Sequence, residues 1–85
     1  MTLAQFLAKR RYLVWYVKDI TKISPAAAVE AVLNYGDFSD VKQIIKILGI
    51  TKTAKIFKRE SNRQRNNYRP EIKNYFTLYF KKYAR

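Results

Sequence analysis

The chain contains no cysteine and no histidine. Without cysteine there is no disulfide framework and no thiolate nucleophile. Without histidine as well, a zinc site of the usual kind and an imidazole general base are both excluded. Two glycines and two prolines in 85 residues supply too little turn chemistry for an all-β fold. The longest apolar run, Tyr12 to Val17, has six residues, far below the roughly 20 of a membrane-spanning helix. The opening MTLAQFLAKRR is too short, and too charged at its end, to read as a secretory signal. Acidic residues are scarce: Asp19, Glu30, Asp37, Asp40, Glu60 and Glu71. No two of them have the D-x-D spacing that would hold a metal for phosphoryl chemistry, and no glycine-rich phosphate loop is present. The expectation is a soluble, cytoplasmic, non-enzymatic protein with no metal and no cofactor.

What is present is apolar mass and positive charge. Hydrophobic residues make up 48% of the chain, enough for a core, and the length fits one domain over residues 1–85. A chain this short hides only about 60% of its unfolded surface, so its stability is modest. Lysine and arginine number 18 against 6 acids, a net charge of +12. The distribution is uneven. Residues 1–40 carry five basic and four acidic side chains, and residues 41–85 carry thirteen and two, so the second part holds +11 of the total. Such a field steers a protein toward anionic partners. Nucleic acid, a membrane surface or an acidic protein would all satisfy it.

The punctuation divides the chain into short helices. Thr2 caps a first helix through about Arg11, with Leu3, Phe6 and Leu7 on one face. Tyr12 to Val17 reads as a buried segment. Ser24-Pro25 starts the next helix, Ser24 as the cap and Pro25 in the first helical position. That helix ends at Gly36, where glycine's access to the left-handed conformation would close it. Asp37 or Ser39 caps a third, in which Val41, Ile44, Ile45 and Leu48 follow the i, i+3, i+4, i+7 pattern up to Gly49. Thr51 is the expected cap of a fourth, with Ala54 and Phe57 inward and Lys52, Lys55 and Arg59 outward. Ser61 to Arg69 reads as a polar loop with almost nothing to bury. Arg69-Pro70 opens a last helix carrying an aromatic stripe of Tyr75, Phe76, Tyr79, Phe80 and Tyr83, with Ile72. The expected fold is all-α: a compact bundle of four to five short helices, with residues 1–11 as an N-terminal helix or arm.

Three features bear on function. The run around Gly49 is similar to a helix-turn-helix, with Thr51, Lys52, Thr53, Lys55 and Arg59 presented to bases or phosphates. It departs from the pattern in having Ile45 where a small residue is usual and Lys55 where an apolar one is. The plain alternative is an α-hairpin with a glycine cap. Lys52 to Arg69 holds seven basic residues and one acid, a candidate for salt-dependent contact with phosphates or for docking on a protein. The aromatic stripe has core spacing, yet Tyr75, Tyr79 and Tyr83 lie among lysines and are candidates for a docking surface. Asp37 and Asp40, at a helix start, are accounted for by capping and the helix dipole.

Three blocks carry a resemblance. They are Tyr12-Leu13-Val14-Trp15, then AVLNYGDFSDVKQIIKILG from Ala31 to Gly49, then RNNYRPEIKNYFTLYF from Arg65 to Phe80. In that order and spacing the chain resembles the small antitoxin-like proteins that accompany nucleotidyltransferase toxins of the abortive-infection type. Tyr35, Gly36, Asp37 and Asp40 match that family's Y-G-D-x-x-D block. Asn74, Tyr75, Phe76, Leu78 and Tyr79 match its terminal aromatic block. Tyr16 and Gln43 depart from it, which puts any role at those two positions in doubt. The resemblance covers residues 12–83 and implies a non-catalytic antitoxin that binds and neutralises a nucleotidyltransferase toxin, by masking its active site. Under that reading Arg63, Arg65, Arg69, Tyr75, Tyr79 and Tyr83 face the toxin. The alternative is a small basic protein that binds DNA, such as an operator, or RNA through Thr51, Lys52, Thr53, Lys55 and Arg59.

Overall fold

Three of the helices begin where a side chain offers an acceptor for their free amides. A computed structural model describes residues 2–15, 17–63 and 66–84. Thr2 accepts from the Gln5 amide at 3.1 Å and Gln5 returns the bond at 2.9 Å, closing a capping box on α1 (Leu3–Ala8). Phe6 and Leu7 are fully buried, so α1 contributes to the core rather than forming a loose arm. The helix stops at Ala8, short of the expected Arg11. The chain then tightens into a 3-10 turn at Arg11–Leu13, which carries Leu13 and Val14 inward. The segment expected to be buried is therefore only partly so, because Tyr12 and Trp15 point outward. A second 3-10 turn, Ile20–Lys22, is opened by Asp19, whose carboxylate accepts from the Thr21 amide and hydroxyl.

Ser24 caps α2 (Pro25–Tyr35) by accepting from the Ala27 amide at 3.1 Å. Ala28, Val29, Ala31, Val32 and Leu33 are all buried, so this helix is enclosed over most of its circumference. Gly36 follows it, but not in the left-handed conformation: φ is −79°. The need for glycine is spatial. A Cβ here would stand 2.7 Å from the Val32 carbonyl oxygen and 3.0 Å from the Asp40 Cβ. Gly36→Ala is expected to destabilise the fold by about 1–3 kcal/mol, the usual range for overpacking, read as a lower urea midpoint. An unchanged midpoint would show that the corner has room to relax.

Asp37 caps α3 (Phe38–Leu48), and Gly49 alone separates it from α4 (Ile50–Ser61). Gly49 has φ +87° with open space where a Cβ would go, so there the requirement is conformational. It also takes the cap position expected of Thr51, which lies one residue inside the helix. α4 is the organising element, packed on α2, α3 and α5 (Pro70–Tyr83), while α1 lies on α2 and α3. Among the described residues the result is an all-α bundle of five α-helices.

The segment before α5 is not the unburied loop the composition suggested. Ser61 belongs to α4 and is buried, and Tyr68 is buried edge-on against Phe57 with ring centroids 5.2 Å apart. Asn66 ties the turn together, donating to the carbonyls of Ser61 and Arg63 and accepting from the Tyr68 amide. Asn34, buried at the end of α2, donates to the Asn67 carbonyl at 3.1 Å and accepts from the Arg69 amide at 3.3 Å. Burial pushes the Tyr68 phenol pKa up, with Glu30 and Glu60 adding to the rise. Among the described residues no helix is long and apolar enough to cross a membrane.

Candidate partner-binding surfaces

The aromatic stripe of α5 divides in two. Phe76 and Phe80 face the core and meet Phe57, with centroids 6.3 and 5.5 Å apart. Tyr75, Tyr79 and Tyr83 stand on successive turns along one flank of that buried line. The Tyr75 and Tyr79 rings are nearly parallel at 6.3 Å, and Tyr79 and Tyr83 are 4.8 Å apart. Phe38, from the first turn of α3, meets Tyr79 edge-on at 5.9 Å and extends the row. The row is open to solvent: Tyr75 is 52% exposed, Tyr83 55%, and neighbouring Leu78 60%. Lys42 lies over the Phe38 ring at 5.2 Å and Lys82 over the Tyr83 ring at 5.3 Å. Partial burial, with Tyr83 and Tyr75 nearby, pushes the Tyr79 phenol pKa up, so that ring stays neutral at ordinary pH. Part-exposed aromatic rings clustered in this way match the anatomy of a protein-docking patch.

Of the six residues predicted to face a toxin, the structure gathers the three tyrosines. Arg65 lies outside the described residues. Arg63 is exposed at the end of α4, where it pairs with Glu60 at 3.4 Å. Arg69 stacks over the Tyr35 ring at 4.9 Å, tying the start of α5 to the end of α2. Among the described residues Lys42 and Lys82 lie over rings of this surface. Lys82 is one of the lysines the sequence placed beside the tyrosines, whereas Lys42 was signalled only by its i, i+4 spacing from Phe38. The approach of Phe38 to Tyr79 is tertiary and had no sequence signal.

The central helix pair departs from a helix-turn-helix reader in two respects. One residue joins the helices, where such units use a turn of about three to four. Thr53 is fully buried and donates its hydroxyl to the Gly49 carbonyl at 2.8 Å, so it cannot face bases. The exposed arc of α4 carries Thr51, Lys52, Lys55, Lys58 and Arg59. Lys52, Lys55 and Arg59 converge on a shallow pocket of about 420 Å³ formed with Ser24, Pro25 and Ala26 at the start of α2. The acid on this helix, Glu60, lies 3.7 Å from Arg59 and serves Arg63 as well.

Asp37 and Asp40 were expected to act only as caps. Asp37 does so, accepting from the Asp40 amide at 2.9 Å. Asp40 does more: it is buried, returns the bond from the Asp37 amide at 3.2 Å, and also accepts from Arg10 Nε at 2.5 Å and the Tyr12 hydroxyl at 2.9 Å. Tyr35, Gly36, Asp37 and Asp40 thus build the corner between α2 and α3, and Tyr75 and Tyr79 of the terminal block belong to the aromatic row. Among the described residues, no three histidine, cysteine, aspartate or glutamate side chains gather where a metal could bind. Comparison with family models, with curated proteins and with solved structures returns no match to this chain.

Proposed function

We propose that this chain is a non-catalytic binding protein, an antitoxin that docks on an acidic partner enzyme of the nucleotidyltransferase class and masks its active site. The observation that carries the docking reading is the solvent-open row Phe38, Tyr79, Tyr75 and Tyr83. Left uncovered, it exposes apolar surface that nothing in the fold requires. Tyrosine gives large contact area at low entropy cost and is enriched where binding energy concentrates. The resemblance of the three sequence blocks supplies the identity of the partner. Physical chemistry supports the match: an enzyme that transfers nucleotides needs acidic metal ligands in its cleft, and a domain with +11 in residues 41–85 is drawn to such a field.

The test is retention. The tagged chain is co-expressed with the product of its adjacent gene and washed at high salt. The expected result is a nucleotidyltransferase held in fixed ratio with no nucleic acid in the eluate. Replacing Tyr75 and Tyr83 together with alanine should weaken the complex by at least about 2 kcal/mol, roughly thirty-fold, while the melting temperature moves little because both rings are half exposed. Full retention by that variant would refute the row as the docking surface.

A second reading rests on the convergence of Lys52, Lys55 and Arg59 at the start of α2, a place suited to a backbone phosphate of DNA or RNA. It predicts the opposite outcome: partner lost, nucleic acid present, and affinity falling steeply with salt.

A further inference from the structure

The groove between α4 and α5 lies on the other flank of α5 from the tyrosine row. Thr77, Lys81 and Ala84 share that flank, at i, i+4 and i+7, with the buried Phe76 and Phe80 line between the two surfaces. Its volume is about 530 Å³. The floor is apolar, made by Ala54, Phe57, Phe80 and Ala84. The rim is cationic on both sides, with Lys55 and Lys58 from α4 and Lys81 from α5. Along α4 the lining runs from Thr51 to Asn62, about 16 Å at 1.5 Å per residue, or three helical turns.

We propose that this groove seats an acidic amphipathic helix of the partner, its apolar face over Ala54 and Ala84 and its carboxylates on Lys55, Lys58 and Lys81. The inference deepens the docking reading and rests on it for the nature of the partner. Charge selects the occupant. A second copy of this chain brings another +12 to a rim already positive, so self-association is opposed. A single-headed anion would engage one wall, whereas the lysines stand on both walls and one turn apart along α4. A helix laid lengthwise presents carboxylates to both sides while its anchors at i, i+3, i+4 and i+7 fill the floor. The tyrosine row and this groove then grip the partner from both flanks of α5.

The probe is a synthetic helix of about four turns, with leucine at i, i+3, i+4 and i+7 and glutamate elsewhere. Its control carries lysine in place of every glutamate. Each is titrated into the full chain and followed by amide chemical shifts. The acidic peptide should perturb Ala54, Lys58 and Ala84, and the lysine peptide should not. Reversing the rim with K55E, K58E and K81E should weaken the acidic peptide by about ten-fold or more, and Ala54→Trp, which fills the floor, should do the same. The charge reversals sit on exposed side chains and preserve the fold if the tryptophan variant does not. Shifts centred away from the groove, or equal binding by the rim-reversed chain, would overturn the proposal. In the retention assay, a partner lost by the tyrosine variant but kept by the rim-reversed chain sinks the groove alone. A partner that the unmodified chain never retains sinks the docking reading instead.

Discussion

Phe57→Ala is expected to unfold much of the population under conditions where the unmodified chain is folded. Phe57 is 3% exposed, and its ring meets Tyr68, Phe76 and Phe80 at 5.2, 6.3 and 5.5 Å. Truncating a buried phenylalanine costs about 3–5 kcal/mol in lost transfer energy and unfilled cavity. A domain of 85 residues has a total stability of about 4–13 kcal/mol on the usual per-residue scale. One side chain therefore controls a large share of the total. The effect should also be directional. Phe57 is where α4 holds both α5 and the segment around Tyr68, so hydrogen exchange in the variant should accelerate first in α5, with α1 to α3 retaining more protection. Phe57→Leu keeps part of the contact and should fall between the two. A urea midpoint for Phe57→Ala equal to that of the unmodified chain would mean that α5 is not held as described.

The helix boundaries were legible wherever the local chemistry is self-contained. Ser24-Pro25, Asp37, Gly49 and Arg69-Pro70 mark the helix ends because caps and prolines act within one turn. Periodicity found the inward face of α3 at Val41 and Ile44 for the same reason. What the sequence hid depends on contacts distant along the chain. The reach of Arg10 and Tyr12 to Asp40 spans 30 and 28 residues. Thr53 sits in a run of lysines and threonines that looks solvent-facing, yet it is fully buried and bonded to the Gly49 carbonyl. The aromatic stripe of α5 is wide enough to serve the core and a surface at once, and its division depends on where α4 sits. The candidate site was half legible: three tyrosines and the lysines of their own helix were in view, but their partner Phe38 and Lys42 over it emerge only from packing.

Asp40→Ala is expected to be about as damaging as a core truncation, although the residue is charged. Asp40 is 3% exposed and accepts from Arg10, Tyr12 and the Asp37 amide. Arg10 also lies over the Phe6 ring at 4.4 Å, so one carboxylate fixes the N-terminal turn, the start of α3 and the edge of α1. Removing one member of a buried pair costs about 3–5 kcal/mol, because the other charge is left unpaired. Arg10 keeps a side-chain exposure of 21%, which places the loss near the lower end, about 3 kcal/mol. For a domain of this size that is a drop of roughly 12–24 °C in melting temperature. Acid titration supplies an independent check. Desolvation raises the Asp40 pKa, but the bonds from Arg10, Tyr12 and the Asp37 amide outweigh it and hold the carboxyl below its ordinary value. A carboxyl with a depressed folded pKa contributes stability that is fully present above its unfolded value of about 3.9 and is lost as pH falls through the folded value. The unmodified chain should therefore lose stability below about pH 4 more steeply than Asp40→Asn. Asp19, whose pKa is lowered by its Thr21 bonds, titrates in both chains and cancels from the difference. The two urea-midpoint curves should be widely separated at neutral pH and converge in acid. Curves that stay parallel from pH 7 into acid would show that the ionised carboxylate does not hold this corner.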